Sequence, residues 1–148
     1  MSVKLIAMGN RLMKDDGIGI EVALSIEEKL TEDGIDIIYG ETDFDYCMSK
    51  VEENDFIILL DATSYGKKPG EIRVISLDSY IPDKLGYSQH CYSFFEVLKC
   101  YFPEVRGVII SIKIYEVDFN YGLSTVLQEK LSDLSKDILY IIEDVVNK

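Results

Sequence analysis

Three residues in this 148-residue chain are of a type and placing that could do chemistry together: Asp16, Asp61 and His90, each beside the end of a predicted strand or helix. Two carboxylates and one imidazole that converge would bind a divalent transition metal and leave coordination positions open for a substrate. His90 is the single histidine. Zinc sites built from two imidazoles within one chain, H-E-x-x-H included, are therefore excluded. A helix N-terminus disfavours imidazolium, which would keep a histidine placed there neutral and able to bind a metal. Each residue also has a plainer role: Asp16 as a helix N-cap, Asp61 as a turn-starting residue, His90 as a surface or capping residue. Spacing alone leaves both roles open for all three.

Other candidates are weaker. Residues 9–20, GNRLMKDDGIGI, fit neither G-x-G-x-x-G nor G-x-x-x-x-G-K-[ST]. Asp15 and Asp16 would repel an anion from the mouth of the following helix, so nucleotide binding is disfavoured. Cys91 adjoins His90, but successive helical residues point about 100° apart, so both reach one ion poorly. Cys47 and Cys100 fall in apolar helical stretches and are expected in the core. Asp43 and Asp45 read as a turn and helix-cap cluster. The ten tyrosines are dispersed and form no stacking motif.

The elements that would position the first three residues alternate along the chain. Val3–Met8 reads as a buried strand, and a helix follows with Gly19, Val22, Ala23, Ile26 and Leu30 on one face, ended by Asp33-Gly34. Strands are predicted over residues 35–39, 56–60, 71–77 and 107–114. The continuous apolar run of the second of these suits a strand covered on both faces. Helices are predicted over residues 45–53 and 89–101 and from near Ser124 onward, where Thr125 and Gln128 have capping-box spacing. The apolar stripe of the last helix runs through Leu127, Leu131, Leu134, Ile138, Ile141 and Val145. Without repeat or linker, residues 1–148 read as one domain. The expected fold is a three-layer α/β/α sandwich with a largely parallel five-stranded sheet, in a phosphorylase/hydrolase-like or flavodoxin-like order, taken as 2-1-3-4-5. The loops after strands one, three and four should then meet at the carboxyl ends of the strands.

Bulk properties narrow the partners. A net charge of −12 argues against nucleic acid and anionic membranes. Three cysteines without Cys-x-x-Cys spacing point to a reducing, cytoplasmic setting. The first apolar run is too short for a signal core or a membrane span.

At its loops the chain resembles the hydrogenase maturation proteases. The resemblance is carried by Gly9-Asn10-x-Leu12-x-x-Asp15-Asp16-Gly17-x-Gly19, Asp61-Ala62-x-x-x-Gly66-x-x-Pro69-Gly70, Ser88-x-His90 and Gly122-Leu123-Ser124, in that order. It implies a metal-dependent, aspartyl-type endopeptidase that removes the C-terminal extension of a nickel-loaded hydrogenase large-subunit precursor. It further implies that Asp16, Asp61 and His90 are both the nickel ligands and the catalytic residues. The nickel would be supplied by the substrate, with another divalent transition metal possible in isolation, and water would be the nucleophile. The partner would be that precursor, and the working form a monomer. Departures from the family pattern are Ala7 at a usual Gly, Arg11 at a usually apolar or Pro position, and Glu41 at the second Gly of a common Gly-Gly-Thr. They bear on substrate choice more than on chemistry. Two other functions compete: a flavodoxin-like electron carrier, and a metal-binding assembly factor without cleavage. The former lacks the Ser/Thr-rich phosphate loop it would need after strand one.

Overall fold

The computed structural model describes residues 2–79 and 91–147. The strands are β1 (Val3–Met8), β2 (Asp36–Glu41), β3 (Phe56–Thr63), β4 (Ile72–Ser76) and β5 (Arg106–Lys113). The helices are α1 (Ile18–Glu32), α2 (Phe44–Ser49), α3 (Cys91–Tyr101) and α4 (Thr125–Val146). The five strands form one sheet in the order β2-β1-β3-β5-β4. Its first four members are parallel, and β4 alone runs antiparallel to its neighbour β5.

Alternation along the strands divides the core in two. Leu5, Ala7, Ile58, Leu60, Ile110 and Ile112 pack under α1 and α4. Ile6, Met8, Ile57, Leu59 and Ile109 pack with Cys47 of α2 and Phe94, Phe95 and Leu98 of α3. This is why β3 reads as an unbroken apolar run: both faces are covered. The α1 stripe is buried as expected, and Gly34 closes the helix with paired N–H donations from Gly34 to Thr31 and Ile35 to Leu30.

Three expectations are corrected. The order is 2-1-3-5-4 rather than 2-1-3-4-5, so β4 runs opposite to the others and ends at the amino edge of the sheet. The cap of α4 is Ser124, whose hydroxyl accepts from Leu127 N–H, rather than a box made by Thr125 and Gln128. Cys100 is exposed, whereas Cys47 is buried as expected. Asp43 caps α2 by accepting from Tyr46 N–H, as its sequence context suggests.

Candidate functional site

Between β1 and α1 the chain makes a tight passage at the carboxyl edge of the sheet. Gly9 has φ +128, and a Cβ there would lie 2.1 Å from the carbonyl oxygen of Asp16. Only glycine allows the loop to fold back so closely. Residues Lys14–Gly17 then form a single 3-10 turn that leads into α1. Gly19, in the first turn of α1, would set a Cβ 2.8 Å from Leu60 O and 3.1 Å from Met8 O. The helix therefore starts pressed onto the ends of β1 and β3.

Asp16 is buried within that turn, and its Oδ2 accepts from Asn10 N–H at 2.9 Å. It does not cap α1, because Gly17 occupies that position and no side chain caps there. Asp61 does not begin a turn either: it lies inside β3, fully buried, with Oδ1 accepting from Ala62 N–H at 2.8 Å. The same Oδ1 is 3.7 Å from where a Cβ on Gly9 would sit. Asp16, through its main-chain carbonyl, and Asp61, through Oδ1, thus both lie beside Gly9, although 45 positions separate them in the sequence. By strand alternation Asp61 belongs to the face of Ile57 and Leu59, the side covered by α2 and α3.

His90 lies outside the described residues, as do Ser88 and the side chain of Cys91. Because β4 is reversed, the segment after it leaves from the amino edge, contrary to expectation. The helix it leads to nevertheless begins near the carboxyl edge. The ring of Phe94, in the first turn of α3, is 5.6 Å from that of Phe44, which opens α2 just past the end of β2. The far end of α3 feeds the amino end of β5 through residues 102–105. Among the described residues no cluster of three or more histidine, cysteine or carboxylate side chains is placed to hold a metal.

Two residues with a part in this edge escaped sequence reasoning. Asp15, fully buried, accepts four hydrogen bonds: from Tyr115 N–H at 3.1 Å, Glu116 N–H at 2.8 Å, Ser124 N–H at 2.7 Å and the Ser124 hydroxyl at 2.8 Å. It is the brace of the site rather than a ligand. The Asp15-Asp16 doublet and the Gly122-Leu123-Ser124 segment were the available signal. Ser111 faces Asp61 in the β3–β5 register, and its buried hydroxyl has no hydrogen-bond partner among the described residues. A cavity of about 670 Å³ opens at the opposite edge, between residues 51–55 and 101–106.

Comparison with known proteins decides the family. The profile described as hydrogenase maturation protease matches residues 20–141. The chain belongs to the hydrogenase maturation protease family. It is 30% identical over 101 residues to the hydrogenase expression/formation protein HupM of Azotobacter chroococcum, an overlap covering 66% of this chain and 48% of that protein. It is 31% identical over 100 residues to HupD of Rhizobium leguminosarum, covering 65% and 49%. The chain therefore matches about half the length of these relatives. Among solved structures it resembles the [NiFe] hydrogenase maturation protease HybD of Thermococcus kodakarensis, with a TM-score of 0.74 at 25% identity over 95% of this chain and 99% of that one. It also resembles the hydrogenase maturating endopeptidase HybD of E. coli, with a TM-score of 0.75 at 19% identity over 97% and 93%. The latter likeness is one of fold.

Proposed function

We propose that this family member is the endopeptidase that removes the C-terminal extension of a nickel-loaded hydrogenase large-subunit precursor, acting in the cytoplasm as a monomer. The observation that supports the reading is the placing of Asp16 and Asp61 beside Gly9 at the carboxyl edge of the sheet. His90, the residue before the first residue of α3, is assigned as the third ligand. Two carboxylates and an imidazole form a hard-to-borderline donor set that suits nickel and other divalent transition metals.

The nickel arrives with the substrate and supplies positive charge that can orient the precursor and polarise a nearby carbonyl. The chain's own residues do the rest. Main-chain donors from Asn10 and Ala62 fix one oxygen of each carboxylate, which limits the directions in which the remaining lone pairs point. The burial of Asp61 keeps water from competing for it. Hydrolysis needs a water that loses a proton as it attacks the scissile carbonyl and a proton donor for the departing amine. A carboxylate of this pair is the group assigned to take the first proton.

Incubation with nickel-loaded and nickel-free precursor should yield cleavage of the loaded form only; equal cutting of both would defeat the reading. His90→Ala should abolish nickel retention and processing together while the far-ultraviolet spectrum stays that of the wild type.

A further inference from the structure

Residues 115–121, Tyr-Glu-Val-Asp-Phe-Asn-Tyr, alternate apolar and polar side chains. Such alternation ordinarily buries the apolar set. Here the apolar set faces water: Tyr115 is 59% exposed, Val117 42%, Phe119 82% and Tyr121 63%, with Leu12 alongside at 51%. Several exposed apolar side chains gathered on one short loop mark a place where something binds.

The display is held, not loose. Asn120 N–H donates to Leu12 O and Lys14 N–H donates to Asn120 O, both at 2.9 Å, a parallel bridge between Met13 and Asn120. Asp15 clamps Tyr115 and Glu116 from below. The Phe119 N–H is taken up by the Asp118 carboxylate, so what this residue offers a partner is its exposed side chain. The patch is joined to Asp16 through a single intervening residue, Asp15.

Its charge indicates what binds. Arg11 donates to Glu21 at 2.9 Å and lies over the Tyr121 ring. Lys14 is paired with Glu116. Both local cations are thus occupied, and carboxylates outnumber them. A second copy of a chain with net charge −12, or an anionic bilayer, would be repelled.

We infer that this loop is the docking surface for the polypeptide to be cut, which lies on it as an extended apolar segment flanked by lysine or arginine. The inference rests on the proposed peptidase reading for the identity of that polypeptide.

The test uses the full chain, a fluorescent peptide of alternating valine and phenylalanine flanked by lysines, its glutamate-flanked counterpart, and nickel-loaded precursor. Phe119→Ser, alone and with Val117→Ser, alters only exposed side chains and should keep the fold. Affinity for the lysine-flanked peptide should fall roughly tenfold in the variants. The glutamate-flanked peptide should bind the wild type poorly, and KM for the precursor should rise far more than kcat falls. Equal affinity of wild type and variants, or of the two peptides, would overturn the inference. So would a dimer that Phe119→Ser disperses in sedimentation, or binding to phosphatidylglycerol vesicles that the substitution abolishes. If the wild type leaves the precursor uncut while the peptides behave as expected, the peptidase reading fails and the docking surface stands. If wild type and variants cut it with the same KM, the docking surface fails and the peptidase reading stands.

Discussion

Asp15 and Asp16 are neighbours with opposite employment. Asp15 spends its acceptor capacity on four donors from residues 115, 116 and 124, whereas Asp16 turns toward Asn10 and the candidate site. Replacing Asp15 by alanine strands the buried N–H and hydroxyl of Ser124 and two part-buried main-chain N–H groups, which should cost roughly 3 kcal/mol in a denaturant titration. Ser111 gives the converse case. Removing a buried hydroxyl that has no partner is neutral or stabilising. Ser111→Ala should therefore unfold no earlier than the wild type, and so should Ser135→Ala in α4, whose hydroxyl likewise has no partner among the described residues. Only the first faces Asp61. If Ser111 serves the site, a fall in precursor processing should follow its loss and not that of Ser135; equal activity in both variants would assign Ser111 no such role.

Among the elements, the β1–α1 passage is governed by backbone space. Gly9→Ala meets both a φ of +128 and a carbonyl 2.1 Å away and should destabilise by roughly 3 kcal/mol or more. Gly34→Ala, at φ +81 with open space around it, should cost only about 1 kcal/mol. Glu41 occupies φ +53 at the end of β2, a conformation that glycine adopts without strain. Glu41→Gly should accordingly raise stability by up to about 1 kcal/mol in the same titration. Much of this level was legible in the sequence. The stripe of α1, the cap of α2 and the doubly covered β3 follow from periodicity and cap chemistry, which act within a few residues. The direction of β4 was not legible, because an alternating strand of five residues looks the same in either sense and its partner β5 comes 30 or more residues later. The positions of Asp16 and Asp61 at one edge followed from topology. Their local settings did not, since a residue inside a strand and a residue in a turn can share the same flanking sequence. The Asp15–Ser124 contact spans 109 residues and has no local signature at all.

Across the whole molecule, charge sets the response to solution conditions. A chain with net charge −12 repels itself when compact, so its melting temperature should rise with added sodium chloride over the low-salt range; a flat response would show that the repulsion is already relieved locally. Alkaline pH acts through specific groups. Burial, and then the nearby Asp43 carboxylate, push the Cys47 thiol up from 9.0 to about 11. Burial, and then the hydrogen bond to Glu27, raise the Tyr39 phenol above its ordinary 10.0. Both groups hold their protons more tightly when folded. The stability they lend is complete below their ordinary values and is lost as pH climbs, for Cys47 between about 9 and about 11. Denaturation midpoints should fall across that window. At neutral pH, iodoacetamide should label exposed Cys100 well before buried Cys47.

The brace at Asp15 also sets an order of events during synthesis. Its partners belong to the stretch between β5 and α4, so the turn that carries Asp16 lacks this brace until Ser124 has left the ribosome. A nascent chain halted before Ser124 emerges can pair β1 with β2 and β3, yet its reactive corner stays unfinished. The corner would thus be completed in one step, as α4 seats.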